Sequence, residues 1–427
     1  MYNKIYDTLS LVIPILWILR IASRGLLYWF NPDAGLDQEI DYLKGSPVDR
    51  AYLSILEIIG IIILTKRKIE WKHLIKNNIT ILILFLYIGT SVLWSDFQEV
   101  SFKRWIRAIG DLVMVLIIIT DHNYVKAFIN AFRIGSYVLL PASIILVKYF
   151  RNFGVSYDYT GNVEMWVGVT THKNSLGQLV CIFCLFFIWN YLSKKFKTLI
   201  TDIPVFLIGL WLLNGSSSST SKTSFSVFFV GLIFLIIMKI FNEKTFVINF
   251  ITVSFFTVMI IGMTLSQHLF AYDFIPLAIA KTGGDPTLTG RIFLWDALLE
   301  IGKDNWLFGS GYGGFWIGEY ANNLWQIFTW KPTQAHNGYI DVYIDIGVVG
   351  VCILVIVLIV TYLSIEKGLA SGSDFAKFRF AIFITTMIYN FTESSFLKPT
   401  SFLWFTFLLI AIQTKEIVPE IEENVSA

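Results

Sequence analysis

Residues 335–360 read AHNGYIDVYIDIGVVGVCILVIVLIV, and the change of character within this stretch decides the fold. Its first part carries an imidazole, an amide and two carboxylates. Its last ten residues carry nothing more polar than the Cys352 thiol. A water-exposed loop therefore turns into a membrane helix beside His336, since a helix satisfies its own backbone in hydrocarbon. The loop that His336 closes, 267–337, has about 70 residues and is expected on the outer side of a cytoplasmic membrane. An imidazole at that boundary can meet the polar headgroup of a lipid-linked molecule. A membrane enzyme acting on such a molecule is the first expectation.

The rest of the chain has the composition of a protein dissolved in lipid. Of 427 residues, 55% are hydrophobic and 15% charged, and the mean hydropathy is +0.65. A soluble domain of this size has no use for so much apolar surface. Aromatic residues make up 16%, with 14 Trp, which suits two interfacial belts. A net charge of +2 without a basic tract gives nucleic-acid binding no support. Cys181-x-x-Cys184 has redox or metal spacing, but it lies inside the apolar run LVCIFCLFFIW and reads as helix packing. The first apolar run lacks a small-residue cleavage site and is expected to stay as an anchor.

Apolar runs fall at about 7–28, 50–65, 79–94, 105–120, 127–148, 175–191, 199–213, 224–241, 246–266, 338–363, 376–391 and 400–414. They predict an all-α polytopic membrane protein, one integral domain over 1–427 with about twelve transmembrane helices. The basic segments KRKIEWKHLIKNN (66–78) and SKKFK (193–197) fall on one side, with Lys126, Lys239, Lys244, Lys367 and Lys377. The positive-inside rule makes that side cytoplasmic and puts both termini there, with 415–427 as a disordered tail. The opposite face then holds 29–49, 95–104, 149–174, 214–223, 267–337 and 391–399. In the large loop, 290–306 has helical apolar spacing through Phe293, Leu294, Ala297, Leu298 and Ile301, and is expected on the membrane surface. The segment 315–330 is similar, with Trp316, Trp325 and Trp330 as expected interfacial anchors.

The unusual chemistry gathers on that outer face. A lone His is usually structural, but His336 starts a helix bearing Asp341 and Asp345, and a neutral imidazole can take a proton from an attacking hydroxyl. Asp341, five residues on, is too far round the helix to be its assured partner. Arg291, at the start of the surface helix, is placed for a phosphate, which guanidinium binds in a fork. The run Thr171-His172-Lys173-Asn174, Lys222, and the cluster Lys103, Arg104 and Arg107 put cations where orientation disfavours them, and an anionic headgroup explains them. Glu393 and Lys398 flank the last outer turn as a candidate pair. Arg20 and Arg24 share a helix face and either line a polar cavity or snorkel. Gly347 and Gly350 read as close-packing residues. Gly309-x-Gly311-x-x-Gly314 has dinucleotide-loop spacing but no βαβ unit around it, and reads as a tight turn. Ser219-x-x-Lys222 lacks the partner motifs of a penicillin-binding site. No metal constellation is seen on the outer face, so metal-independent chemistry without a cofactor is expected.

These residues together resemble the bacterial O-antigen ligase and Wzy-type polymerase superfamily. Gly290-Arg291, Trp295, LFGSGYGGF (307–315) and His336-Asn337-x9-Gly347-x-x-Gly350 are similar to its hallmark loop. SSSTSKTS (217–224) resembles its Ser-rich basic turn, with Lys222 where many relatives have Arg. VLWSDFQEVSFKRWIRAIG (92–110) resembles its W-S segment. GNVEMWVGVTTHKNSLGQ (161–178) is closer to the exopolysaccharide polymerase branch. The resemblance implies a GT-C-like helical fold and periplasmic glycosyl transfer from an undecaprenyl-diphosphate-linked glycan. The acceptor would be another lipid-linked repeat in a polymerase, or lipid A-core in a ligase. His336 would be the base and Arg291 the second catalytic residue. His172, Lys173, Asn174, Lys222, Arg104 and Asn337 would contact substrate. Membrane lipids, a chain-length regulator and a flippase are the expected partners. A transporter for the same lipid is the alternative of another class, disfavoured by the lack of an internal repeat.

Overall fold

The computed structural model describes residues 2–30, 46–157, 163–193, 198–215, 221–241, 291–328 and 330–414. The described part is helical: α1 (Tyr2–Ile21), α2 (Leu26–Phe30), α3 (Pro47–Lys66), α4 (Trp71–Asn77), α5 (Ile79–Thr90), α6 (Gln98–Ile119), α7 (Tyr124–Tyr149), α8 (Arg151–Gly154), α9 (Lys173–Ser193), α10 (Asp202–Asn214) and α11 (Lys222–Ile240). Within the large loop come α12 (Arg291–Ile301) and α13 (Gly318–Ile327), and after it α14 (Gly338–Ala370), α15 (Asp374–Tyr389) and α16 (Phe402–Ala411). Eleven of the twelve apolar runs coincide with these helices; the run 246–266 lies outside the described residues. Four helices, α7, α9, α11 and α14, are long and apolar enough to cross a membrane, and α4 with the segment Ile79–Trp94 makes a fifth if that 82° bend is one span. The run 7–28 is interrupted at 22–25, between α1 and α2.

The centre of the bundle is α9, α15 and α16. Every residue of α16 is buried, and α9 buries most of its length. Phe128, Phe132, Phe183, Phe186, Trp189, Phe378 and Phe402 interlock edge to face or tilted around this centre, the geometry that aromatic quadrupoles favour. Cys181 and Cys184 are buried free thiols here, as the packing reading expects. The outer helices turn apolar faces outward: Ile55, Ile58 and Ile62 on α3, Phe229, Ile233 and Ile236 on α11, Val355, Ile356 and Ile359 on α14. Contiguous exposed faces of this kind suit hydrocarbon and not water. The protein is a multi-pass helical membrane protein.

Two features depart from the expected pattern. The chain is not purely α-helical: Val155–Tyr157 and Glu164–Trp166 pair antiparallel, in register Val155↔Trp166, Ser156↔Met165 and Tyr157↔Glu164. The β-branched and aromatic residues suit the pairing, Arg151 bonds Glu164 across it, and Trp166 stacks on Trp211 of α10. The second departure is inside α14. Ile346 and Gly347 leave helical geometry, and Gly347 takes φ 67°. The break orphans backbone groups on both sides, and the loop after α12 satisfies them. Trp306 and Leu307 carbonyls accept from the Val348 and Val349 amides at 2.9 and 3.2 Å, and the Ser310 amide donates to the Ile344 carbonyl at 3.0 Å. A Cβ on Gly347 would collide with the Leu307 carbonyl. Gly347 is therefore a hinge and a close-approach point, more than the packing residue that its spacing suggested. Beyond it, 348–370 still supplies about 34 Å of helix, enough to span by itself.

The large loop carries its own small core. Leu294 and Leu298 of α12 pack with Phe315, Trp316, Leu324 of α13, Ala335 and Ile344. The apolar stripe expected on the membrane surface thus faces protein, while Phe293 stays exposed. Trp316 is buried too and donates to Asp341 at 2.9 Å, so it is an internal strut and not an interfacial anchor. Of the three Trp, Trp330 remains exposed.

Candidate active site

Glu393 is where the chemistry converges. It sits in the turn between α15 and α16, which Asn390 builds: its Oδ1 accepts from the Ser395 and Phe396 amides at 2.9 and 3.0 Å, and its carbonyl accepts from the Gly338 amide at 2.8 Å. A side chain at Gly338 would strike Asn390, so α14 is able to start against this turn only with glycine. Asn337 caps α14, its Oδ1 accepting from the Tyr339 and Ile340 amides, and its own amide donates to Ser394 Oγ at 3.1 Å. Tyr389, at the end of α15, donates to the Asn174 carbonyl at 2.8 Å and touches Ser224 Oγ at 3.1 Å, joining α9 and α11 to the same frame. The ends of four helices therefore meet at one buried carboxylate.

Arg291, the first residue of α12, pairs with Glu393 Oε1 at 2.8 Å and also bonds the Thr392 carbonyl. Asn174 Nδ2 donates to the same oxygen. His336 Nδ1 lies 3.1 Å from Glu393 Oε2. The burial of Glu393 alone would raise its pKa. The His336 hydrogen bond and the electrostatic pull of His336, Arg291 and His172 outweigh this and hold it at about 2. An ionised carboxylate only accepts, so Nδ1 carries the proton and Nε2 is left as the basic nitrogen, with no bond to a described residue. Gln334 Nε2, 3.3 Å from Nδ1, is then a neighbour and not a donor; its Oε1 is engaged by Lys398 at 2.7 Å. The imidazole is further fixed by its backbone at φ 50°, by Trp330 at 5.9 Å between ring centres, and by Trp295, which donates to the preceding Ala335 carbonyl at 2.8 Å.

A polar cavity of about 570 Å³ opens beside this cluster. Glu393, His172, Asn174, Lys398, Arg20 and Arg107 are among its walls. Arg24 lines it as well, its guanidinium spent on the Phe153, Gly168 and Thr170 carbonyls at 2.5, 2.5 and 2.8 Å. Arg20 pairs with Asp49 at 2.5 Å. Arg107 has no hydrogen bond among the described residues; Asp49 and Asp111 act on it only through space. His172 shows surface to the cavity yet is surrounded by protein on its other side. That desolvation lowers its pKa, against the raising pull of Glu393. Its Nδ1 accepts from the Asn174 amide at 3.2 Å, so it is a neutral acceptor there.

The structure thus brings together His336, Arg291, His172, Asn174 and Asn337. Lys173 opens α9 next to them. Lys222 is the exposed first residue of α11. Arg104 does not join the cavity; it bonds the Gly313 carbonyl and holds the glycine loop, whose Gly309, Gly311 and Gly313 all have positive φ, as a tight turn requires. The member of that cluster on the cavity is Arg107, one helical turn on. Glu393 and Lys398 do not pair: Lys398 is 3.0 Å from Asp341 Oδ2 instead. Asp341 also accepts from the Ala335 amide at 3.0 Å, so it braces the loop behind His336 and leaves the imidazole to Glu393. No metal-binding group of His, Cys, Asp and Glu is found among the described residues.

Residues 204–355, which include Lys222, Arg291, His336 and Asn337, match the family model described as O-antigen ligase. The chain is also similar to the exopolysaccharide production protein ExoQ of Rhizobium meliloti (strain 1021), 23% identical over 316 residues, which cover 71% of this chain and 69% of the relative. The relative's match reaches well beyond the family segment in length. Both matches point the same way as the helical membrane frame: residues 204–355 are similar to the O-antigen ligase family, and over 71% of its length the chain resembles ExoQ.

Proposed function

We propose that this membrane protein is a glycosyltransferase that polymerises undecaprenyl-diphosphate-linked oligosaccharide repeats into exopolysaccharide or O-antigen at the periplasmic face. The observation that carries this reading is the His336 Nδ1–Glu393 Oε2 pair at 3.1 Å beside a cation-lined cavity. His336 Nε2 takes the proton of an acceptor hydroxyl, and the freed oxygen attacks the anomeric carbon of the donor. The bond from that carbon to the diphosphate breaks, and the leaving diphosphate keeps the electron pair. Charge grows on the phosphate oxygens, so fixed cations stabilise the transition state more than the ground state. Arg107 and Lys398 on the cavity wall are the residues we assign to that charge, with Lys173 and Lys222 as outer contacts. Arg291 and Asn174 keep Glu393 ionised and aimed, and Glu393 keeps the histidine in one tautomer.

The match to the O-antigen ligase family supports a second reading, transfer of finished lipid-linked glycan onto lipid A-core. The experiment is gel analysis of lipid-linked and surface glycan in a deletion strain complemented at matched expression with wild type, His336→Ala, Arg291→Ala or Arg107→Gln. Single lipid-linked repeats accumulating in the deletion strain, unrescued by His336→Ala and Arg291→Ala and rescued at most tenfold less well by Arg107→Gln (about 1.4 kcal/mol of transition-state binding), are the expected result. Long lipid-linked polymer that is not attached would make it a ligase. Normal glycan from the His336 and Arg291 variants would remove this assignment.

A further inference from the structure

A second concave surface lies away from the Glu393 cluster, where the Ser91–Trp94 turn meets the loop after α12. It encloses about 360 Å³. Its aromatic walls are Trp94, Trp306 and Phe308, with 37, 54 and 51% of their surfaces exposed. Trp94 Nε1 donates to the Phe308 carbonyl at 3.2 Å and its ring packs on the Phe308 ring, 5.8 Å between centres, so two walls are fixed relative to each other. Asp96, Asp304 and Asn305 supply the polar edge. Asn305 is held by Tyr320, 3.1 Å from its amide nitrogen to the hydroxyl. The Asp96 and Asp304 carboxylates are exposed, with no ion pair or hydrogen bond among the described residues.

We infer that this groove binds the saccharide portion of the glycan, as a subsite separate from the reacting centre. Sugars present apolar C–H faces and rims of hydroxyls. Rigid aromatic faces suit the first, and carboxylate and amide acceptors suit the second. An interfacial aromatic belt is the competing occupant, a lipid surface. The two carboxylates at the mouth, Asp96 and Asp304, would repel its anionic headgroups. The groove is also rigidly tied to the catalytic helix. Trp306 and Leu307 carry the carbonyls that cap the second half of α14, and Ser310 bonds Ile344. Ile344 is two helical turns, about 10 Å of rise, from Asn337. An oligosaccharide of a few units in the groove would thus be held at a fixed offset from His336.

The inference rests on the glycan reading above, but its test does not use the transfer reaction. Full-length protein in nanodiscs containing phosphatidylglycerol is titrated calorimetrically with the reducing repeat oligosaccharide released from the host's own polysaccharide. Wild type and His336→Ala should bind saturably. Trp306→Ala and Asp304→Asn should each weaken binding about fivefold or more, the loss of roughly 1 kcal/mol of stacking or hydrogen bonding. Trp306→Phe should keep most of the affinity, and all variants should melt with wild type because the groups are exposed. No saturable binding by wild type, or unchanged affinity in both Trp306→Ala and Asp304→Asn, overturns the inference. So does a Trp306→Ala effect confined to partition into phosphatidylglycerol vesicles, which would assign the patch to the membrane. Failure here with loss of transfer in His336→Ala leaves the active-site reading intact.

Discussion

Glu393 shows how much of the site depends on one side chain. It is almost wholly buried, and three donors from three elements converge on its two oxygens. Removing one partner of a buried pair strands the other's charge, which costs about 3–5 kcal/mol. Glu393→Ala should therefore lower stability by that order and abolish transfer, while Glu393→Gln should keep the fold better and lose the tautomer control of His336. The pH dependence has a definite sign. The carboxylate sits at about 2 against an ordinary 4.5. A depressed carboxylate stabilises the fold above its unfolded pKa, and that stability is lost as pH falls through the folded one. Detergent-solubilised wild type should lose thermal stability on acidification from about pH 4.5 toward 2, and Glu393→Gln should show a flatter curve. A wild-type melting temperature independent of pH over that window would contradict the assignment. His336 and Arg291 were legible in the sequence, one at a loop-to-membrane boundary and one at a helix start. Their shared partner was visible only as an acid on the last outer turn. It lies 57 and 102 residues away in sequence, and no local periodicity carries that distance.

At the scale of the element, helices were readable and their breaks were not. A run of apolar residues fixes that a segment is helical and buried, which is why eleven expected runs appear as helices. It does not report where backbone hydrogen bonds are exchanged with another segment. The α14 hinge is such an exchange: the second half-helix begins at Val348 with its amides on the Trp306 and Leu307 carbonyls, and Tyr87 of α5 donates to the Ile346 carbonyl at 3.0 Å. The pattern Gly347-x-x-Gly350 suggested packing alone, because small residues at this spacing serve that purpose in most membrane helices. The strand pair at 155–166 was missed for a related reason: three residues per strand are too few for alternation to register. Gly347→Ala tests the hinge. It forces a side chain at φ 67° against a backbone carbonyl, a strain of about 1–3 kcal/mol. A lowered melting temperature and at least tenfold slower transfer are expected. Gly350→Ala should cost less, because Gly350 is not held at positive φ and the atoms nearest its added Cβ belong to the Ile346 side chain and not to backbone. Equal effects from the two substitutions would place the hinge elsewhere.

Across the whole molecule, the charge and the site are distributed in a way that ties orientation to function. The residues around Glu393 come from the start of α9, the starts of α12 and α14, and the end of α15, so they belong to one end of the bundle. Lys68 and Lys72, exposed around the start of α4, belong to the set that the positive-inside rule assigns to the cytoplasm. Under the proposed function, an anionic lipid-linked substrate at the outer face would account for Arg107 and Lys398 on that side; in the structure each is set against a carboxylate or a cavity. Orientation is directly measurable because Cys181 and Cys184 are buried and Cys352 is the exposed thiol. In a Cys352→Ser background, Lys303→Cys and Lys68→Cys introduce one accessible thiol each at exposed positions. A membrane-impermeant maleimide added to intact cells whose outer barrier has been opened should label the Lys303 position within minutes and the Lys68 position only after lysis. The reverse pattern would turn the cavity toward the cytoplasm, where a donor already carried across the membrane would be out of reach of His336.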